Sequence, residues 1–156
     1  MHSMRLLTAI LIAAWVQDAA GRDIKVEFGQ SIQGAVDLAS PGDRILVQPG
    51  TYHEPGRYCP IDPTKVCAVV IAKNNISLVA EPRPGQPVLL ENAGGQFQGI
   101  TFGSSNVTPT QCLNDQRTHI KGGEVSGFVV SDFDDTGIFP FCVDDFVISS
   151  NSTVCN

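Results

Sequence analysis

Five acids crowd one stretch near the C-terminal end: Asp132, Asp134, Asp135, Asp144 and Asp145. Carboxylate oxygens are hard donors, and several converging from neighbouring turns would hold Ca²⁺. The plainer reading is conformational. Asp bonds its own backbone and tolerates left-handed φ, so it gathers in turns without an ion. The stretch has no calcium-loop spacing, which favours that plainer reading. No motif requires a cofactor, and calcium is the one ion these acids suggest.

The cysteines are Cys59, Cys67, Cys112, Cys142 and Cys155. Cys59 and Cys67 flank a Pro-containing segment, and a bridge between them would pin the base of that loop. Cys112 can meet Cys142 only if the fold brings them together. The odd count leaves one thiol over. A metal is the weaker reading, since the sequence has no Cys-x-x-Cys pair or local Cys/His cluster. Cys142, between Phe141 and Val143, also reads as a small apolar residue in a packed stack. His53 sits beside Glu54, which could orient its ring. A lone surface histidine is the simpler account, because one acid neighbour does not make an acid–base pair. His119 has no such neighbour. There is no Ser-His-Asp pattern, phosphate loop or His-Glu-x-x-His, so no catalytic residue is assigned. Asn75, Asn106 and Asn151 begin Asn-x-Ser/Thr sequons. They are glycosylation sites in a eukaryotic secretory pathway and turn residues otherwise.

The elements that must position these residues begin after a targeting segment. A basic start, the apolar run Leu6–Val16 and the small residues Ala19-Ala20-Gly21 fit a signal peptide cut before Arg22. The run is shorter than the roughly 20 residues of a membrane span. The expected division is a signal peptide over 1–21 and one domain over 22–156, secreted or periplasmic. Arg5 and Asp18 cancel, so the mature chain keeps the net charge of −6. That charge argues against nucleic acid and anionic membrane as partners. It also makes an acidic polysaccharide a poor partner unless a cation or a basic patch intervenes.

Ile32, Ala35, Val36 and Ala39 form one apolar stripe on a short helix, with Ser31 as N-cap. Ser40-Pro41-Gly42 stops it. Short apolar runs follow: Arg44–Gln48, Ala68–Ile71, Ile76–Val79, Val88–Leu90, Ile100–Phe102, Phe128–Val130, Ile138-Phe139 and Phe146–Ile148. Each has the length of a strand. They recur every roughly 18 to 27 residues, as in repeat architectures. Residues 103–119 interrupt the spacing and read as a lateral loop.

The stretch Ser31–Glu54, ending in Pro49-Gly50-Thr51-Tyr52-His53-Glu54, resembles the N-terminal cap and first coil of right-handed parallel β-helix proteins, the pectin-lyase-like superfamily. Gly127–Phe133, Thr136-Gly137-Ile138 and Phe146–Asn151 resemble its repeating coil. The resemblance implies an all-β fold: a right-handed parallel β-helix (solenoid) with a short N-terminal capping helix. No C-terminal cap is visible in the sequence, so a solenoid incomplete at that end is expected. The run Gly50–Glu54 resembles the first coil of pectinesterases. The Gln and paired Asp of those enzymes, the Asp-Pro-His-Glu run of alginate epimerases and the Arg-centred lyase pattern have no match here. The expectation is a non-catalytic scaffold or carbohydrate-binding segment with a polysaccharide partner. The alternative is the N-terminal part of a polysaccharide-processing enzyme, a uronan lyase, epimerase or pectinesterase-like protein.

Overall fold

A computed structural model describes residues 21–105 and 107–155. The expected signal segment, apart from Gly21, and the sequon residue Asn106 lie outside the described residues. The elements in order are β1 (Asp23–Val26), α1 (Ile32–Leu38), β2 (Arg44–Val47), β3 (Gly50–Tyr52), β4 (Arg57–Tyr58), β5 (Val66–Ile71), β6 (Ser77–Ala80), β7 (Val88–Glu91) and β8 (Gln98–Phe102). Then come α2 (Pro109–Asn114), a 3₁₀ turn (Gln116–Thr118), β9 (Ile120–Lys121), β10 (Glu124–Ser126), β11 (Phe128–Ser131), β12 (Thr136–Pro140), β13 (Val143–Asp144), β14 (Val147–Ser149) and β15 (Ser152–Val154). The class is all-β.

The strands form three main sheets. The first has the order β1-β2-β6-β10-β14, the second β15-β11-β7-β3 and the third β12-β8-β5-β4; β13 and β9 make a small fourth. Every pairing is parallel except β4 with β5. From β2 onward the chain visits the first, second and third sheets in turn. It then returns to the first beside the strand it left.

Register lines up the apolar residues. Ile45, Leu78, Val125 and Ile148 share one column of the first sheet. Tyr52, Leu90 and Val130 share a column of the second, and Val69, Ile100 and Ile138 one of the third. Most of these are buried in a single core. A one-residue slip would turn such a column to the opposite face, so burial fixes the pairing. The steps from Asp23 to Arg44, from Glu124 to Val147 and from Val129 to Ser152 keep the interval expected from sequence. Lateral excursions lengthen the steps from Arg44 to Ser77 and from Ser77 to Glu124.

The helix α1 packs against β1, β2 and β5. Ile32, Ala35, Val36 and Ala39 are buried, as the stripe predicts. Its Ser31 cap accepts from the Gly34 N–H at 2.9 Å. Such a short helix is marginal on its own, and remote side chains hold both its ends. Buried Glu54 accepts from the Ile32 N–H at 2.6 Å, the Gln33 N–H at 3.3 Å and the Ser31 hydroxyl at 2.7 Å. At the other end, Lys73 Nζ donates to the carbonyls of Val36, Asp37 and Ala39 at 3.0, 2.8 and 2.7 Å. An anion at the N-terminus and a cation at the C-terminus both complement the helix dipole. The Gln33 side chain also accepts from the Val70 N–H at 2.6 Å and donates to the Val70 carbonyl at 3.2 Å. It thus stands in for a neighbouring strand at that point of β5.

Two excursions leave the sheets. The first, 59–65, follows β4 and is closed by a Cys59–Cys67 disulfide, in line with its flanking position. With Val70 and partly buried Phe97 it forms a second apolar cluster outside the main core. Both faces of β5 are therefore covered, which explains its unbroken run Val66–Ile71. The second excursion, 103–119, is more than a loop. Thr108 and Gln111 form a reciprocal capping box around α2, with Pro109 in its first turn.

Candidate functional site

A groove of about 560 Å³ lies between the two excursions. One wall carries Tyr58, Pro60, Ile61 and Pro63, and the other Ser105, Val107, Thr108 and Pro109. Tyr58 is 73 % exposed. The disulfide fixes the first wall, and the capped start of α2 fixes the second. The lining combines an open aromatic ring and fixed pyrrolidine rings with serine and threonine hydroxyls. Among the described residues its lining has no carboxylate, imidazole, ammonium or guanidinium group, so it suits binding through stacking and neutral hydrogen bonds.

The back of the second excursion holds a polar cluster. Cys112 from α2 is bridged to Cys142, with Cα atoms 5.6 Å apart. Cys142 is buried, in keeping with its reading as a small packed residue, and it is also half of a disulfide. His119, directly before β9, places Nδ1 2.8 Å from Asp144 Oδ1 and Nε2 2.8 Å from the Cys112 carbonyl oxygen. Pairing of Ile120 with Val143 and Lys121 with Asp144 sets these positions. Each ring nitrogen faces an acceptor, so the ring satisfies both only when both carry protons. The Cys112 carbonyl and the Asp144 carboxylate accordingly raise the His119 pKa above its usual value. Nε2 is already engaged, so this His–Asp pair offers no free base in the described arrangement.

The Cys112 and Cys142 sulfurs and a His119 nitrogen all lie within 4.8 Å of one another. The chain matches no family model, no curated protein and no solved structure. Cys112 and His119 are seven residues apart, but Cys142 lies 30 residues from Cys112, and the β9–β13 register brings it to them.

The five acids are placed differently. Asp132, Asp134, Asp135 and Asp145 are exposed and Asp144 half-buried. Asp132 and Asp145 have φ of 66° and 54°, the left-handed turn conformation. Asp135 accepts from Gln98 Nε2 and the Thr136 hydroxyl, both at 3.0 Å, and Asp144 is held by His119. Among the described residues, the metal-type group that converges is Cys112, His119 and Cys142.

His53 does not use Glu54, which is buried beneath α1. It faces Glu91 at 3.0 Å on the surface. Asn75 is exposed with a φ of 53°. Asn151 instead donates to the Val125 carbonyl at 2.9 Å and accepts from the Phe128 N–H at 3.0 Å. Cys155 is a free, exposed thiol. Among the described residues, no helix is long and apolar enough to cross a membrane.

Proposed function

We propose that this chain is a secreted right-handed parallel β-helix scaffold that binds neutral carbohydrate in the groove between its two lateral excursions. The cyclic return of strands to three parallel sheets and the N-terminal helix held by Glu54 support the pectin-lyase-like resemblance. Two disulfides fit an exported chain.

The observation that carries the binding role is the exposed Tyr58 ring in a groove with rigid walls. A pyranose presents an apolar C–H face to an aromatic ring and hydroxyls to its edges. Tyr58 supplies the ring and Ser105 a hydroxyl, while the Thr108 hydroxyl is engaged with Gln111 in the α2 cap. Rigid walls reduce the ordering cost of binding. The net charge of −6 disfavours uronates and so favours neutral glycans.

Calorimetric titration against neutral and uronate oligosaccharides tests this reading. A neutral oligosaccharide should bind. Tyr58→Ala should weaken that binding about tenfold, which corresponds to ~1.4 kcal/mol. Undiminished binding by Tyr58→Ala, or no binding of any neutral glycan, would overturn it.

A further inference from the structure

We propose that in the thiol form of the protein Cys112 Sγ, Cys142 Sγ and His119 Nε2 bind one Zn²⁺ ion, with Asp144 holding the imidazole from behind. The disulfide and the metal are then alternative uses of the same two cysteine side chains.

The geometry points this way on three counts. Thiolate and imidazole ligands on tetrahedral zinc sit at ~2.3 and ~2.0 Å from the metal, which places sulfur and nitrogen about 3.5 Å apart. Cys112 Sγ is 3.8 Å from His119 Nε2. Two thiolates on one zinc are about 3.8 Å apart by the same arithmetic. The 5.6 Å between the Cys112 and Cys142 Cα atoms leaves the side chains room to take up that spacing by rotation. Asp144 Oδ1 accepts the Nδ1 proton at 2.8 Å, the carboxylate–histidine arrangement that orients a metal-bound imidazole through its other nitrogen. His119 is itself only 15 % exposed, and Cys142 is 7 % exposed. The site is thus shielded on the protein side.

Binding balances without an external oxidant or reductant when the cysteines start as thiols, as in a newly made chain. Zinc takes a lone pair from each sulfur and one from Nε2. Each thiol releases a proton, and so does Nε2, which gives up its bond to the Cys112 carbonyl. The two thiolate charges cancel that of the ion, and water fills the fourth position. The metal ties α2 to β13 as the disulfide does, so the second excursion is anchored in either state.

Cobalt(II) tests the proposal, because thiolate-to-cobalt charge transfer and tetrahedral ligand-field bands report its ligands directly. The full chain is reduced with a phosphine, titrated with Co²⁺, and then back-titrated with Zn²⁺. One equivalent should produce both bands, and zinc should abolish them. The oxidised protein should show neither. Cys59→Ser/Cys67→Ser retains every proposed ligand and should keep the bands. Cys112→Ser/Cys142→Ser should lose the charge-transfer band. Asp144→Asn should keep it with affinity reduced about 10- to 100-fold. Absence of the bands from the reduced wild type or from a folded Cys59→Ser/Cys67→Ser chain would overturn the site. So would bands that survive Cys112→Ser/Cys142→Ser. Unchanged affinity in Asp144→Asn would remove the supporting carboxylate.

Discussion

Asp43 shows how a single buried acid can govern the entry to the fold. It is 3 % exposed and accepts from the Arg22 guanidinium at 2.7 Å and from the N–H groups of Arg22 and Ser40 at 2.8 and 2.9 Å. The hydrogen bond from the Arg22 side chain, with those two backbone donors, holds its carboxyl far below the usual carboxylate range. A folded value below the unfolded one contributes stability above the unfolded pKa, near 3.9. That contribution is lost as the pH falls through the folded value, over about pH 5 to 1. Asp43→Asn should therefore melt below the wild type at neutral pH, and the gap should close on acidification. Thermal melts across that range check this, and a gap independent of pH would refute it. Neither this role nor that of Glu54 is legible locally. Glu54 could be matched to a family motif, yet its purpose needs α1 brought over β3 by the fold.

The helix α1 was readable in advance because its period and Ser31 cap are local signals. So were the apolar strands and the Cys59–Cys67 loop. The capping box of α2 was equally local, in Thr108-Pro109-Thr110-Gln111, but the surrounding Gly, Ser and Asn obscured it. The meeting of Cys112, His119 and Cys142 was out of reach, because no residue between them encodes the register of β9 on β13. Val36 is 2 % exposed in the α1 stripe. Val36→Asp would bury an unpaired carboxylate there, and a loss of several kcal/mol in chemical denaturation is expected. Lys73→Met keeps the stem but leaves three helix carbonyls without their cation. A milder loss of about 1 to 2 kcal/mol is expected, and no change would mean that solvent serves those carbonyls as well. Opening the Cys59–Cys67 bridge by Ser substitution should cost about 2.5 kcal/mol from its eight-residue separation.

Protection across the whole molecule should be uneven. Val147, Ile148 and Val154 are 51 %, 46 % and 44 % exposed, whereas Ile45, Leu78 and Leu90 are fully buried. Native-state hydrogen exchange should be slowest in β6 and β7 and faster towards β14 and β15. Uniform rates would mean that the sheets open only as one unit. The strand order has a further consequence, for the history of the chain as it is made. In the first sheet β1, β2, β6, β10 and β14 lie side by side in the order of their synthesis. In the second β3, β7, β11 and β15 do so, and in the third β4, β5, β8 and β12. No late strand has to be threaded between two early ones. Each new strand adds to an edge already formed, and α1 closes the side where growth began. Because synthesis delivers the N-terminal part first, the polypeptide can fold as a ratchet, each docked turn holding its place while the next leaves the ribosome.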